Sequence, residues 1–185
     1  GDAAVTTPIF DGALKPNQRL EEARVVARFE AAMDLATNGV DLFVADGDRI
    51  LRIDTDGQVA PVAQVSGKIT ALAVLPDGRF AAAIAGREIC ILEGSKVVRS
   101  WRDAAGKSFR SINSLCTAPD GTLFATEGST VHDEDDWQRD LLSHGDSGRL
   151  LSLDGASAVV REIATGLKGP FGVIAGEKAT LYSES

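Results

Sequence analysis

The sequence predicts an all-β chain, a β-propeller of about three and a half four-stranded blades from an expected six-bladed ring. Two observations predict it. A layout of four short apolar strands recurs at a period of roughly 40 residues, the signature of stacked supersecondary units. Turn signals punctuate that layout at matching places, Asn38-Gly39, Pro76-Asp77-Gly78 and Pro119-Asp120-Gly121, with many of the 19 glycines beside Asp, Asn or Pro.

The second unit, about residues 69–101, is the plainest. Ile69–Leu75 and Arg79–Ala85 flank the Pro-Asp-Gly turn, and Glu88–Leu92 and Lys96–Trp101 complete a meander in which Ile89 and Ile91 alternate with Glu88 and Cys90. The first unit, about 31–65, repeats it with Ala31–Thr37, Leu42–Ala45, Ile50–Asp54 and Val59–Val65, the last two joined at Asp56-Gly57. The third, about 112–163, runs Ile112–Ala118, Leu123–Thr126, Arg149–Leu153 and Val159–Ile163. An insertion over 129–147 separates its second and third strands. A fourth unit begins at Phe171 and reaches Ser185. Arg24–Phe29 reads as a lone strand that closes the last blade, as terminal strands do in closed rings. With the other blades absent, the flanking sheets present apolar faces and open edges, so a second chain or second copy completing the propeller is expected.

Composition narrows the partners. A net charge of −8, with no clustering of Lys and Arg, disfavours nucleic acid. No apolar run has membrane-spanning length and no signal-peptide pattern is present, so no membrane is expected and the compartment stays open. Cys90 and Cys116 lie within apolar strand patterns and read as core thiols. No nucleophile elbow, Ser-His-Asp order or phosphate-binding glycine loop occurs.

In a propeller, first-strand starts and second-strand ends gather on one face around the channel. That register brings Glu30, Asn113, Asp46, Glu127, Glu184 and the insertion together and puts the Pro-Asp-Gly turns on the other face. An oxygen-only set of carboxylates and an amide suits calcium better than zinc. Glu127 and Glu184, ending their strands with carboxylates toward the channel, are the candidate catalytic bases. Phe171 is the candidate floor of an apolar pocket, lined also by Asp46. The insertion, with His132, Asp133, Glu134, Asp135, Asp136, Trp137 and His144, reads as a lid anchored by Trp137 and Leu141-Leu142 with its acids facing water.

Several stretches carry a resemblance: Ile112-Asn113-Ser114-Leu115 with Ala118–Ser129, the loop Asp136-Trp137-Gln138-Arg139-Asp140, Gly148–Asp154, and Gly169-Pro170-Phe171-Gly172-Val173 leading to Tyr182–Ser185. They resemble the senescence marker protein, gluconolactonase and strictosidine synthase-like six-bladed propellers. The resemblance implies a divalent cation, usually calcium or zinc, at the channel top, held by a Glu, two Asn and an Asp. Glu30 stands at the first of these positions and Asn113 at the second, whereas Phe171 occupies the third. The same resemblance implies a metal-assisted hydrolase of a lactone or related cyclic ester with a small-molecule substrate, active when the ring is complete. The alternative is a non-catalytic propeller binding a small apolar ligand or a protein through the same face.

Overall fold

The computed structural model describes residues 21–154 and 159–184. Three antiparallel meanders succeed one another. The first blade is β1 (Ala32–Thr37), β2 (Leu42–Asp46), β3 (Arg49–Ile53) and β4 (Val59–Gln64); the second is β5 (Ile69–Val74), β6 (Phe80–Ile84), β7 (Glu88–Glu93) and β8 (Lys96–Trp101). A short hairpin, β9 (Asp103–Ala104) and β10 (Lys107–Ser108), precedes the third blade of β11 (Ile112–Thr117), β12 (Leu123–Glu127), β13 (Gly148–Leu153) and β14 (Val160–Leu167). The hairpin β15 (Gly172–Ala175) and β16 (Thr180–Ser183) opens a fourth. Ser185, the expected end of that unit, lies outside the described residues.

The core sits between blades, and β6 shows why its sequence is almost wholly apolar. Side chains alternate across a strand. Phe80 and Ala82 therefore join Phe43, Ala45 and Ile50 of the first blade, while Ala81 and Ala83 join Ile112, Leu115, Ala125 and Leu151 of the third. Both faces are buried, so no polar residue alternates in. The many alanines let the sheets approach closely, and Trp101 and Phe109 fill the wider outer part of the second interface.

Side chains on the inner strands bolt each blade to the next. The Leu72 N–H donates to Asp34 Oδ2 (2.7 Å), Thr70 Oγ1 donates to Ile112 O (2.8 Å), and the Val173 N–H donates to Ser114 Oγ (3.3 Å). Gly86 lies at a close approach of the second and third blades, with φ +66°, and a Cβ there would meet Arg110 O at 3.0 Å. These links put the starts of β1, β5, β11 and β15 side by side, which defines one end of the molecule; the Pro-Asp-Gly turns occupy the other.

Arg24–Phe29 pairs with nothing among the described residues, and Val25 and Val26 are exposed; the last-blade strands it is expected to join are not among those residues. A strand exists only through its ladder, and no described edge is offered to this one. One expectation is corrected: the insertion is not wholly irregular, and while Asp135 does face water, Asp133 and Glu134 are engaged. It forms a 3-10 turn (Glu134–Asp136) and a short helix, α1 (Trp137–Leu142). Leu142 is 81% exposed, so it anchors nothing, and the Leu141 side chain lies outside the described residues. The acids do the anchoring: Asp133 takes Arg87 (2.7 Å) and Arg110 (3.4 Å), and Glu134 accepts from Ser111 Oγ (2.8 Å). Ser129 and Ser147 close the neck of the insertion at 2.9 Å.

Candidate functional site: a cavity beneath the insertion

The three complete blades share an irregularity where the inner strand starts. The register slips between Ala32 and Asp34, between Ile69 and Ala71, and between Ile112 and Ser114. The bulged residues are Met33, Thr70 and Asn113, and pairing back from the β15–β16 turn puts Phe171 at the equivalent place. Bulges re-aim a side chain. Met33, Thr70, Asn113 and Phe171 are thus structural equivalents, and Glu30 lies three residues before its blade's position.

A second repeat explains the carboxylates at the ends of the second strands. Asp46 Oδ1 accepts the Ala31 N–H (2.7 Å) and its Oδ2 pairs with Arg49 (3.0 Å). Glu127 Oε1 accepts the Arg110 N–H (2.8 Å) and its Oε2 takes Arg149 at 2.6 and 2.7 Å. Glu184 Oε2 accepts the Lys168 N–H (3.4 Å). Each carboxylate thus holds the backbone that enters its own blade. This corrects the expectation that Glu127 is an open carboxylate of the channel and places Asp46 in a clamp outside the cavity lining, whereas Glu184 is exposed and engaged, among the described residues, at Oε2 alone. Glu127 is fully buried; burial pushes its carboxyl above the ordinary value, and the Arg110 N–H and the Arg149 guanidinium pull it back down.

Arg149 is the hub of the third blade. At 1% exposure it also donates to Glu162 (2.7 Å) and to the carbonyls of Ala104 (2.9 Å) and Lys107 (3.3 Å), and its guanidinium lies over the Phe109 ring at 5.9 Å. This side chain ties the β9–β10 hairpin to the third blade, and Ala104 packs it into the core.

A cavity of about 520 Å³ opens beneath the insertion. Asn113, Trp137 and Phe171 come together there, with His144 of the expected lid and with Asp140 and Lys168, which sequence reasoning did not single out as site residues. Trp137 and Phe171 are 56% and 67% exposed. Asn113 is tied at both ends of its amide, Nδ2 donating to Pro170 O (3.0 Å) and Oδ1 accepting from Thr126 Oγ1 (2.8 Å). His132 is half-buried, and the bond it makes at Ser129 Oγ is through its backbone N–H (3.0 Å); its ring does not line the cavity. His144 closes α1 in a left-handed conformation, φ +53°, where glycine is usual.

The expected ligand set for a divalent cation does not fit the described residues. Glu30 is exposed, the Asn113 amide is engaged, and Phe171 offers no donor atom. Among the described residues no group of three or more His, Cys, Asp or Glu is placed to hold a metal ion.

The fold has relatives among solved structures. A gluconolactonase from Xanthomonas campestris superposes with a TM-score of 0.62 at 21% identity, covering 79% of this chain and 51% of its own. This chain has the fold of the gluconolactonase-like β-propellers. An aldose sugar dehydrogenase from Streptomyces coelicolor, in its PQQ-bound form, gives 0.60 at 17% identity over 87% of this chain and 58% of its own. Virginiamycin B lyase from Staphylococcus aureus gives 0.54 at 14% identity over 83% and 49%. The chain therefore spans about half the length of the propellers it resembles. No protein-family profile and no curated protein matches it in sequence.

Proposed function

We propose that this chain belongs to a lactonase-like hydrolase that opens a lactone or related cyclic ester in the cavity beneath the insertion, and that it acts as part of a completed ring. The observation that carries this reading is the cavity itself. It has two exposed aromatic rings, Trp137 and Phe171, an oriented amide at Asn113 and a few charged groups, all at the end where the inner strands start. Apolar walls with a small number of convergent polar groups are the general form of small-molecule sites. The likeness in fold to a gluconolactonase supports the reaction class by analogy.

The need for further blades is supported by what the outer sheets expose. Met33 (43%) and Leu35 (58%) face outward from β1, and Ile174 (67%) and Leu181 (66%) from the β15–β16 hairpin. Buried between blades, residues of this kind form the core elsewhere in the molecule. A second chain, or a second copy of this one, is the proposed cover. A divalent cation would need most of its ligands from those additional blades.

The test is hydrolysis of gluconolactone and of unsubstituted five- and six-membered lactones by the assembled ring, with calcium, with zinc and with chelator. Opening of at least one lactone is expected, and no opening under any condition overturns the proposal. A second reading, a propeller that binds a small apolar ligand without turning it over, is favoured by the exposure of both aromatic rings in the cavity. Tight binding of an apolar ligand with no lactone opened would establish it.

A further inference from the structure

We propose that Asp140 is the general base of this cavity, a role that rests on the hydrolase reading above. Asp140 is 7% exposed and lines the cavity. Its backbone carbonyl accepts the Gly145 N–H (2.9 Å) and Ser143 Oγ (3.0 Å), whereas its carboxylate takes no hydrogen bond or ion pair among the described residues. The other two acids that line the cavity are occupied, Asp133 by two arginines and Glu134 by Ser111. Its oxygens still reach the cavity, where a water donating to them meets the carboxylate's need for a partner.

The position is held closely. The Gly145 N–H to Asp140 carbonyl bond spans five residues and, with left-handed His144 between them, closes α1 in a Schellman turn. This folds Gly145 back onto the carboxylate. A Cβ at 145 would lie 2.5 Å from Oδ1 and 2.8 Å from Oδ2, so only glycine leaves the carboxylate where it is. A non-glycine residue in a left-handed conformation beside the site fits the way strain collects where position matters.

The chemistry balances with this one group. Asp140 accepts a proton from water as its oxygen bonds to the lactone carbonyl carbon. The tetrahedral species collapses by breaking the ring C–O bond, and the departing alkoxide takes the proton back from Asp140. Lactone and water become the hydroxy acid, and the carboxylate is regenerated.

The experiment compares Asp140→Asn with the wild type in the assembled ring, following lactone opening across pH and product binding by Trp137 fluorescence. Asp140→Asn is expected to lower kcat about 10²- to 10⁴-fold, the usual worth of a general base, with KM within threefold. Removing one negative charge from the cavity is expected to tighten, not weaken, binding of the anionic hydroxy acid. Gly145→Ala, which displaces the carboxylate and keeps its charge, is expected to lower kcat at least tenfold. Should Asp140→Asn not fold, Asp140→Glu takes its place, with a loss of at least tenfold expected. Turnover by the wild type with kcat retained in these variants overturns this inference and leaves the hydrolase reading standing. Failure of the wild type to open any lactone overturns both.

Discussion

Replacing Arg149 by methionine gives the sharpest test of how the third blade is held. The substitution removes a guanidinium that is 1% exposed and strands Glu127, which is 0% exposed, with only the Arg110 and Ser111 backbone N–H groups for company. It also frees the carbonyls of Ala104 and Lys107 and one oxygen of Glu162. Breaking a buried ion pair from one side costs about 3–5 kcal/mol. Arg49 occupies the same place in the first blade, opposite Asp46, but its side chain is 48% exposed and it makes one bond of 3.0 Å. Solvent screening reduces the expected loss in Arg49→Met to about 0–1 kcal/mol. With a urea m-value of about 2 kcal/mol/M, the midpoint falls by about 1.5–2.5 M in Arg149→Met and by less than about 0.5 M in Arg49→Met. The double variant Glu127→Met with Arg149→Met, which leaves no charge stranded, is expected to regain part of the loss. Equal midpoints for the two single variants, or a double variant worse than Arg149→Met, would refute the reasoning.

The same geometry sets three other outcomes. Burial pushes the Asp34 carboxyl above its ordinary value, against the pull of the Leu72 and Leu35 N–H groups. The native state then takes up that proton first on acidification, so the group's contribution to stability grows as pH falls toward 3.8 and is lost as pH rises through the folded value. Urea denaturation at pH 4 and 7 should show the wild type gaining on Asp34→Asn at the lower pH. Cys90 is 2% exposed and its thiol is pushed up to about 12 by burial and by Glu88, so a thiol reagent at pH 8 is expected to leave it unmodified until urea is added. Phe171→Ser is expected to weaken hydroxy-acid or apolar-ligand binding about tenfold by calorimetry without moving the urea midpoint, because the ring is 67% exposed and supports little of the core.

The blades were legible because their signals are local. Period-two alternation, Pro-Asp-Gly turns and continuous apolar strands in the middle blade each arise from short-range geometry and from burial on both faces. Asn113 and Phe171 were legible as well, since the unit layout fixes their register. The carboxylate clamps left a signal that could have been read: an acid ends the second strand and an arginine starts the third in units one and three, which makes Asp46 and Arg49, then Glu127 and Arg149, cross-strand neighbours. Reading those acids as open to the channel missed that pairing. The β9–β10 hairpin left almost none, being two residues to a strand and fixed by a side chain more than 40 residues away in sequence. Asp140 could not be found from pattern. Its burial depends on Gly145 folding back over a six-residue helix, a tertiary event without periodicity.

The most direct test of the functional claim is a crystal structure of the assembled protein with the hydroxy acid of an accepted lactone. The ligand is expected between Trp137 and Phe171, with one of its oxygens within hydrogen-bonding distance of the Asp140 carboxylate. A ligand seated on the Pro-Asp-Gly end, or one in the cavity that leaves Asp140 untouched, would contradict the account.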